Sequence, residues 1–211
     1  MQVTVIDYGI GNLFSVGRAL EHCGAEVKFT SDPALIESAP RLVLPGVGAF
    51  ADGMKGLRDR GLVEPIRRYA ASGRPLLGIC LGMQMLAQVS EEFGEHEGLG
   101  LIQGRVVAVP DRTISGASHK IPHIGWNGLL VPAAVSWNET LLSDTPEGTA
   151  VYLVHSYVVT PEDPAQRLAD CLYGGHRICA AIRRGSIVGC QFHPEKSGEA
   201  GLRILRRFIA A

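Results

Sequence analysis

Cys80 lies in Gly78-Ile79-Cys80-Leu81-Gly82, at the point where the apolar run Leu76 to Ile79 gives way to the helix-like Met83 to Val89. This has the form of a nucleophile elbow, with Cys in the place that α/β-hydrolases give to Ser. A sharp strand-to-helix turn, permitted by the flanking glycines, would hold the sulfur at the carboxyl edge of a sheet. It would also put the sulfur at a helix N-terminus, whose partial positive charge favours the reactive thiolate. The Leu81 N–H would then point toward a developing oxyanion. A buried structural cysteine is the ordinary alternative. It is the better reading for Cys23, on a helix face, and for Cys171, Cys179 and Cys190, inside strand-like runs.

The run 186–191 ends in Gln191-Phe192-His193-Pro194-Glu195. Pro194 keeps His193 out of the helical region, so an extended chain would project residues 193 and 195 to the same side. A carboxylate beside an imidazole holds its tautomer, as the third member of a triad does. Taken alone, H-x-E is also explained by a surface histidine near a strand end. Coupled to an elbow cysteine at the same sheet edge, it becomes a candidate base. His119 and His123 are four residues apart, but Pro122 breaks the helix that such a pair would need and no acidic neighbour completes a site, so no metal is expected.

Two glycine loops follow strands. Gly9-Ile10-Gly11 lacks the third glycine of a dinucleotide fingerprint, that place being Phe14. Pro45-Gly46-Val47-Gly48 lacks the lysine and hydroxyl residue of a P-loop. No cofactor is expected. The second loop either makes a plain turn or lets a peptide plane rotate and present an N–H to an oxyanion, and the residues leave both open.

These groups need a sheet to position them. Val3 to Ile6 reads as a strand, and Asn12 can cap a helix that carries Leu13, Val16, Leu20 and Cys23 at helical spacing. Strands follow at Glu26 to Phe29, Leu42 to Leu44 and Leu76 to Ile79, with a helix at Leu57 to Ala71 before Gly73-Arg74-Pro75. This alternation predicts an α/β fold: three layers, with an open, mostly parallel sheet and helices on both faces. Beyond Gly100, the runs 101–109, 150–154, 168–172, 178–182 and 186–191 read as further strands. Gly198 to Ile209 reads as a final helix with Leu202, Leu205 and Phe208 on one stripe. Residues 111–149 are the least regular stretch.

At 211 residues and 46% hydrophobic, the chain is expected to form a single domain over 1–211. Twenty Lys+Arg against 21 Asp+Glu leave a net charge of −1, which favours neither nucleic acid nor an anionic membrane as partner. No apolar stretch reaches the roughly 18 residues of a membrane span, and the N-terminus has no signal-peptide pattern, so a cytoplasmic location is expected. Five cysteines without a C-x-x-C pair suggest neither a disulfide framework nor a thiolate zinc site.

Together these segments resemble the class I glutamine amidotransferases. Leu77-Gly78-Ile79-Cys80-Leu81-Gly82-Met83-Gln84 and Phe192-His193-Pro194-Glu195 are shared widely among them. Pro45-Gly46-Val47-Gly48-Ala49-Phe50, Pro122-His123-Ile124-Gly125-Trp126-Asn127 and His193-Pro194-Glu195-Lys196-Ser197-Gly198 narrow the resemblance to the branch of glutaminase subunits of imidazole glycerol phosphate synthases. The resemblance implies a triad of Cys80, His193 and Glu195 that hydrolyses glutamine. It implies an oxyanion site from Gly46, Val47 and Gly48 with the Leu81 N–H, and a glutamine pocket from Gln84 and the backbone of Ser156 and Tyr157. It further implies a (β/α)8 barrel cyclase as partner, met near Asn12, Trp126, Tyr152 and Lys196. Ammonia would pass to this partner in histidine biosynthesis. Val158-Val159-Thr160 departs from the family pattern. Two rival readings are another class I member acting on a different acceptor, and a flavodoxin-like module that binds a nucleotide without chemistry.

Overall fold

Polar caps start the early helices, the first where the sequence places it and the second at a helix the sequence did not announce. The Asn12 side chain accepts from the Ser15 N–H at 3.2 Å, and Asp32 accepts from Ala34 N–H at 2.9 Å ahead of Pro33. The computed structural model describes residues 1–133 and 135–211. Its first half alternates β1 (Gln2–Ile6), α1 (Leu13–His22), β2 (Glu26–Thr30), α2 (Pro33–Ser38), β3 (Leu42–Leu44), α3 (Phe50–Asp59), α4 (Val63–Ala71), β4 (Leu76–Ile79) and α5 (Leu81–Met85). There follow β5 (Ala87–Ser90), β6 (His96–Glu97), β7 (Ile102–Ala108), β8 (His123–Gly128), β9 (Ala150–His155), β10 (Tyr157–Pro161), β11 (Arg167–Tyr173), β12 (His176–Arg184), β13 (Ile187–Cys190) and α6 (Gly198–Ala210).

The main sheet has the order β11-β12-β13-β4-β3-β1-β2. Its five strands from β13 to β2 run parallel, and β12 and β11 are added antiparallel. Strands β3, β4 and β13 are buried at every residue rather than at alternate ones, as expected where both faces of a parallel sheet are covered. Helices do the covering: α1 packs on α6, and α2 on α4. The mostly parallel α/β architecture is as the sequence predicts. Beside it stand a four-stranded sheet, β10-β7-β5-β6, and a two-stranded ribbon, β8–β9.

Two expected helices differ from the observed ones. The stretch Leu57 to Ala71 is not one helix but the end of α3 and the whole of α4. Gly61 adopts φ +65°, and the Leu62 N–H turns back to the Leu57 carbonyl at 2.9 Å. The helix expected to reach Val89 stops at Met85. Ala87 and Val89 instead pair with Ile102 and Arg105 of β7, so tertiary pairing overrides local helical spacing.

Candidate active site

Parallel pairing of β13 with β4 sets Cys190 beside Ile79 and lets the Cys80 N–H donate to the Cys190 carbonyl at 2.7 Å. The sheet thus holds the candidate nucleophile from behind. Cys80 itself has φ 54° and ψ −112°, a conformation costing a non-glycine residue about 1–3 kcal/mol. The sequence assigns the sharp turn to the flanking glycines, yet the strained residue is the cysteine. Gly78 is needed for a different reason. A Cβ there would lie 2.8 Å from the backbone of Gly82 and Met83, so its absence lets the first turn of α5 sit directly on β4. Leu81 opens that helix, and its N–H therefore has no intrahelical partner.

His193 Nδ1 lies 2.8 Å from Glu195 Oε1, both side chains being almost wholly buried. The route differs from the extended segment that the sequence suggests. Pro194–Lys196 form a 3-10 turn, closed by Lys196 N–H on the His193 carbonyl at 3.0 Å, and this turn brings the carboxylate under the ring. Burial alone would push the imidazole down. Hydrogen bonds and charge from Cys80 and Glu195 outweigh burial and raise it to about 9. His193 therefore carries a proton at neutral pH. Ser197, which sequence reasoning passed over, donates its hydroxyl to the His193 carbonyl at 2.7 Å and fixes the backbone of the base.

Cys80 and His193 open onto a cavity of about 310 Å³, which is also lined by Val47, Gly48, Leu81, Gln84, Ser156 and Tyr157. A larger cavity of about 620 Å³, beside Arg183, Arg207 and the C-terminus, is lined by no cysteine or histidine, so the candidate chemistry lies in the smaller one. Gly46 does not line the active cavity. It is packed behind, where a Cβ would meet the Tyr8 hydroxyl at 2.7 Å. Tyr8 donates to the Pro45 carbonyl at 2.8 Å beneath the loop, and burial pushes its phenol far up, so it remains a donor. Gly48 has φ +92° with open space around it.

Gln84 Nε2 donates to the Tyr157 carbonyl at 3.1 Å and to Gln191 Oε1 at 3.0 Å, while Gln191 Nε2 approaches Cys80 Sγ at 3.8 Å. Gln191 and the cavity residue Glu92, whose carboxylate takes the Phe50 N–H at 2.6 Å, had no role in the sequence reading. Gln191 had a signal: a polar side chain closing an apolar strand two residues before the base. Glu92 had none, because only its bond to Phe50, 42 residues earlier at the start of α3, brings it to the loop.

Residues 4–211 match the family Glutamine amidotransferase class-I. The chain belongs to the class I glutamine amidotransferases. It is 54% identical over 208 residues to imidazole glycerol phosphate synthase subunit HisH 1 of Legionella pneumophila (strain Lens), covering 98% of each chain. It is 48% identical over 209 residues to subunit HisH of Syntrophotalea carbinolica, again covering 98% of each. Among solved structures, a glutamine amidotransferase superposes with a TM-score of 0.72 at 20% identity, covering 98% of this chain and 97% of that one. PurLQS from Thermotoga maritima gives 0.71 at 20%, covering 99% and 97%. These share the fold.

Burial pushes the thiols of Cys171 and Cys179 up to about 12 and raises those of Cys190 and Cys23, which leaves them in the unreactive form. Trp126 and Tyr152 face each other across the β8–β9 ribbon with ring centroids 5.9 Å apart, and Trp126 is 56% exposed. Lys196 is exposed on the turn that carries Glu195, and α1, which Asn12 caps, packs against that turn. Tyr152 is tied to the base itself. Its carbonyl accepts the His193 N–H at 3.0 Å, and its N–H donates to Ser197 Oγ at 3.0 Å. Among the described residues no helix is long and apolar enough to cross a membrane, and no group of three or more His, Cys, Asp or Glu could hold a metal ion.

Proposed function

We propose that this amidotransferase hydrolyses glutamine to glutamate and ammonia through Cys80, His193 and Glu195. The observation that carries the reading is the buried 2.8 Å contact of His193 with Glu195 in the same cavity as a strained, elbow-held cysteine. The Cys80 thiolate attacks the carboxamide carbon, and the oxyanion takes the Leu81 N–H and an N–H from the Val47–Gly48 loop. His193, already protonated, gives its proton to the departing nitrogen, since an amide anion is too basic to leave. Ammonia departs and a glutamyl thioester remains. Neutral His193 then takes a proton from water, hydroxide displaces the sulfur, and glutamate is released with the ion pair restored.

The cavity has chemistry for the rest of the substrate. The Glu92 carboxylate, which lines it, has the charge to hold an α-ammonium group, and Gln84 with the backbone at Ser156 and Tyr157 would hold the rest of the amino-acid end while the carboxamide lies at Cys80. Ammonia in water is protonated and loses its nucleophilicity, which favours direct transfer to a second subunit. The similarity to HisH subunits supports a (β/α)8 barrel cyclase in that role, docked over Asn12, Trp126, Tyr152 and Lys196. It would form imidazole glycerol phosphate and an aminoimidazole carboxamide ribonucleotide. The glycine-rich 45–48 loop then serves as a switch, its peptide turning when the partner is loaded.

The test is glutamate release by the isolated chain, and by the chain with the barrel subunit and its nucleotide ligand. Turnover should be weak alone and strong in the loaded complex. Cys80→Ser should abolish it while the barrel's reaction with ammonium salts persists. High ligand-independent turnover, or loss of the ammonium reaction as well, would overturn the reading.

A further inference from the structure

Two buried histidines outside the triad have no part in that mechanism. His123 on β8 and His155 at the end of β9 lie opposite each other in the ribbon, both with almost no exposure. His123 Nδ1 is 3.0 Å from His155 Nε2. The other nitrogen of each ring faces an oxygen that can only accept. His155 Nδ1 is 2.8 Å from the Tyr157 carbonyl, so it carries a hydrogen. His123 Nε2 is 2.9 Å from Asn127 Oδ1, and that amide cannot turn over, because its Nδ2 donates to the Leu172 carbonyl at 2.6 Å. His123 Nε2 therefore carries a hydrogen as well. If both rings were neutral, two lone pairs would face each other at 3.0 Å in a buried site.

We propose that His123 and His155 hold one proton in common between these two nitrogens, and that this bridge positions the Tyr157 carbonyl against Gln84. The functional half of this proposal rests on the glutaminase reading above. The Tyr157 oxygen takes His155 Nδ1–H on one side and Gln84 Nε2–H on the other, and Gln84 continues through Gln191 to Cys80. At the far end Asn127 neighbours the exposed Trp126. A chain of polar contacts thus runs from the ribbon to the nucleophile, and the histidine pair is the link whose bonding depends on a bound proton.

The surroundings allow the pair no more than one added proton. The Tyr173 ring of β11 stacks on His123 with centroids 3.9 Å apart, and His119 stacks on Tyr173. His193, Cys80 and Glu92 line the cavity that His155 also reaches. Among the described residues no carboxylate bonds either ring. Burial lowers both rings, His155 to about 4, against the hydrogen bonds to the Tyr157 and Asn127 oxygens, which raise them, and charge on His123 and then His193 lowers His155 further, so a second proton is not taken. A single proton bonded by both nitrogens, with acceptors at each far end, spreads its charge over two rings. As pH rises and it leaves, the facing lone pairs separate, the Tyr157 carbonyl relaxes, and the KM for glutamine climbs.

The experiment is a nitrogen-15 NMR titration of the imidazoles in the full chain, over about pH 5 to 9. One titration should move nitrogens of both rings together, with His155 Nδ1 and His123 Nε2 protonated throughout. Two neutral rings over the whole range, or two independent titrations, would overturn the shared proton. In complex with the barrel subunit, His123→Gln offers an N–H to His155 without binding a proton. It should keep the glutamine KM near wild type and remove its pH dependence, whereas His123→Leu should raise KM on the order of tenfold. A wild-type KM–pH profile in His123→Gln would overturn the positioning role. The titration needs no glutamine, so absent turnover would count against the glutaminase reading alone, and it stands even where the leucine variant fails to fold.

Discussion

Gly82 and the Leu44 carbonyl are in such close contact that a Cβ on Gly82 would lie 1.8 Å from that oxygen. The obstacle is backbone at the end of a central strand, directly before the 45–48 loop, so no side-chain rotation relieves it. Gly82→Ala should destabilise the protein by about 3 kcal/mol or more, or prevent folding, as read by urea unfolding. Gly48→Ala meets no atom within 4 Å and suffers only the positive φ. Its stability loss should be about 1 kcal/mol, with glutamine turnover the larger casualty.

Strain at Cys80 can be measured without its chemistry. Cys80→Ala and Cys80→Gly both remove the nucleophile, but only glycine accepts φ 54° with ψ −112° freely. Cys80→Gly should unfold at higher urea than Cys80→Ala, by about 1 kcal/mol after allowing for glycine's entropy. Equal midpoints would mean that the elbow stores no strain.

The pH dependence follows from the contacts of His193 with Cys80 and Glu195. The folded value of about 9 lies above the ordinary 6.5, so the protonated ring contributes stability below about 6.5, and this is lost as pH rises through 9. Glutamine turnover should fall over the same upper limb. Glu195→Gln keeps an acceptor for Nδ1 but removes the charge. The limb should move to lower pH and kcat should drop by roughly 10²-fold or more. Glutamine kinetics against pH for both proteins would decide it.

The exposed ribbon and turn should matter to association and not to folding. Trp126→Ala should weaken binding of the barrel subunit about tenfold or more by calorimetry, with an unchanged urea midpoint. Lys196→Ala should do so more mildly and with a stronger salt dependence. Trp126→Ala binding as tightly as wild type would move the interface elsewhere.

Much of this site is legible from sequence because its signals are local. Elbow, H-P-E segment and capped first helix each occupy a few consecutive residues whose chain geometry carries the information. The side sheet β10-β7-β5-β6 and the break at Gly61 were not legible, since a helix-spaced pattern at Leu57 to Ala71 and Met83 to Val89 does not say where tertiary pairing will interrupt it.

The sequence by itself determined the α/β alternation and the family, and singled out Cys80, His193 and Glu195 as candidates. Only the tertiary structure decided which side chains join them. Gln191 reaches Cys80 because Cys190 registers with Ile79 across two parallel strands, 111 residues apart in the chain. His123 meets His155 because the ribbon register sets them opposite. Such contacts depend on strand order and register, which are settled by burial of the whole sheet and not by any one segment. Even the short step from His193 to Glu195 needed the fold, since a 3-10 turn, and not an extended chain, brings the carboxylate beneath the ring.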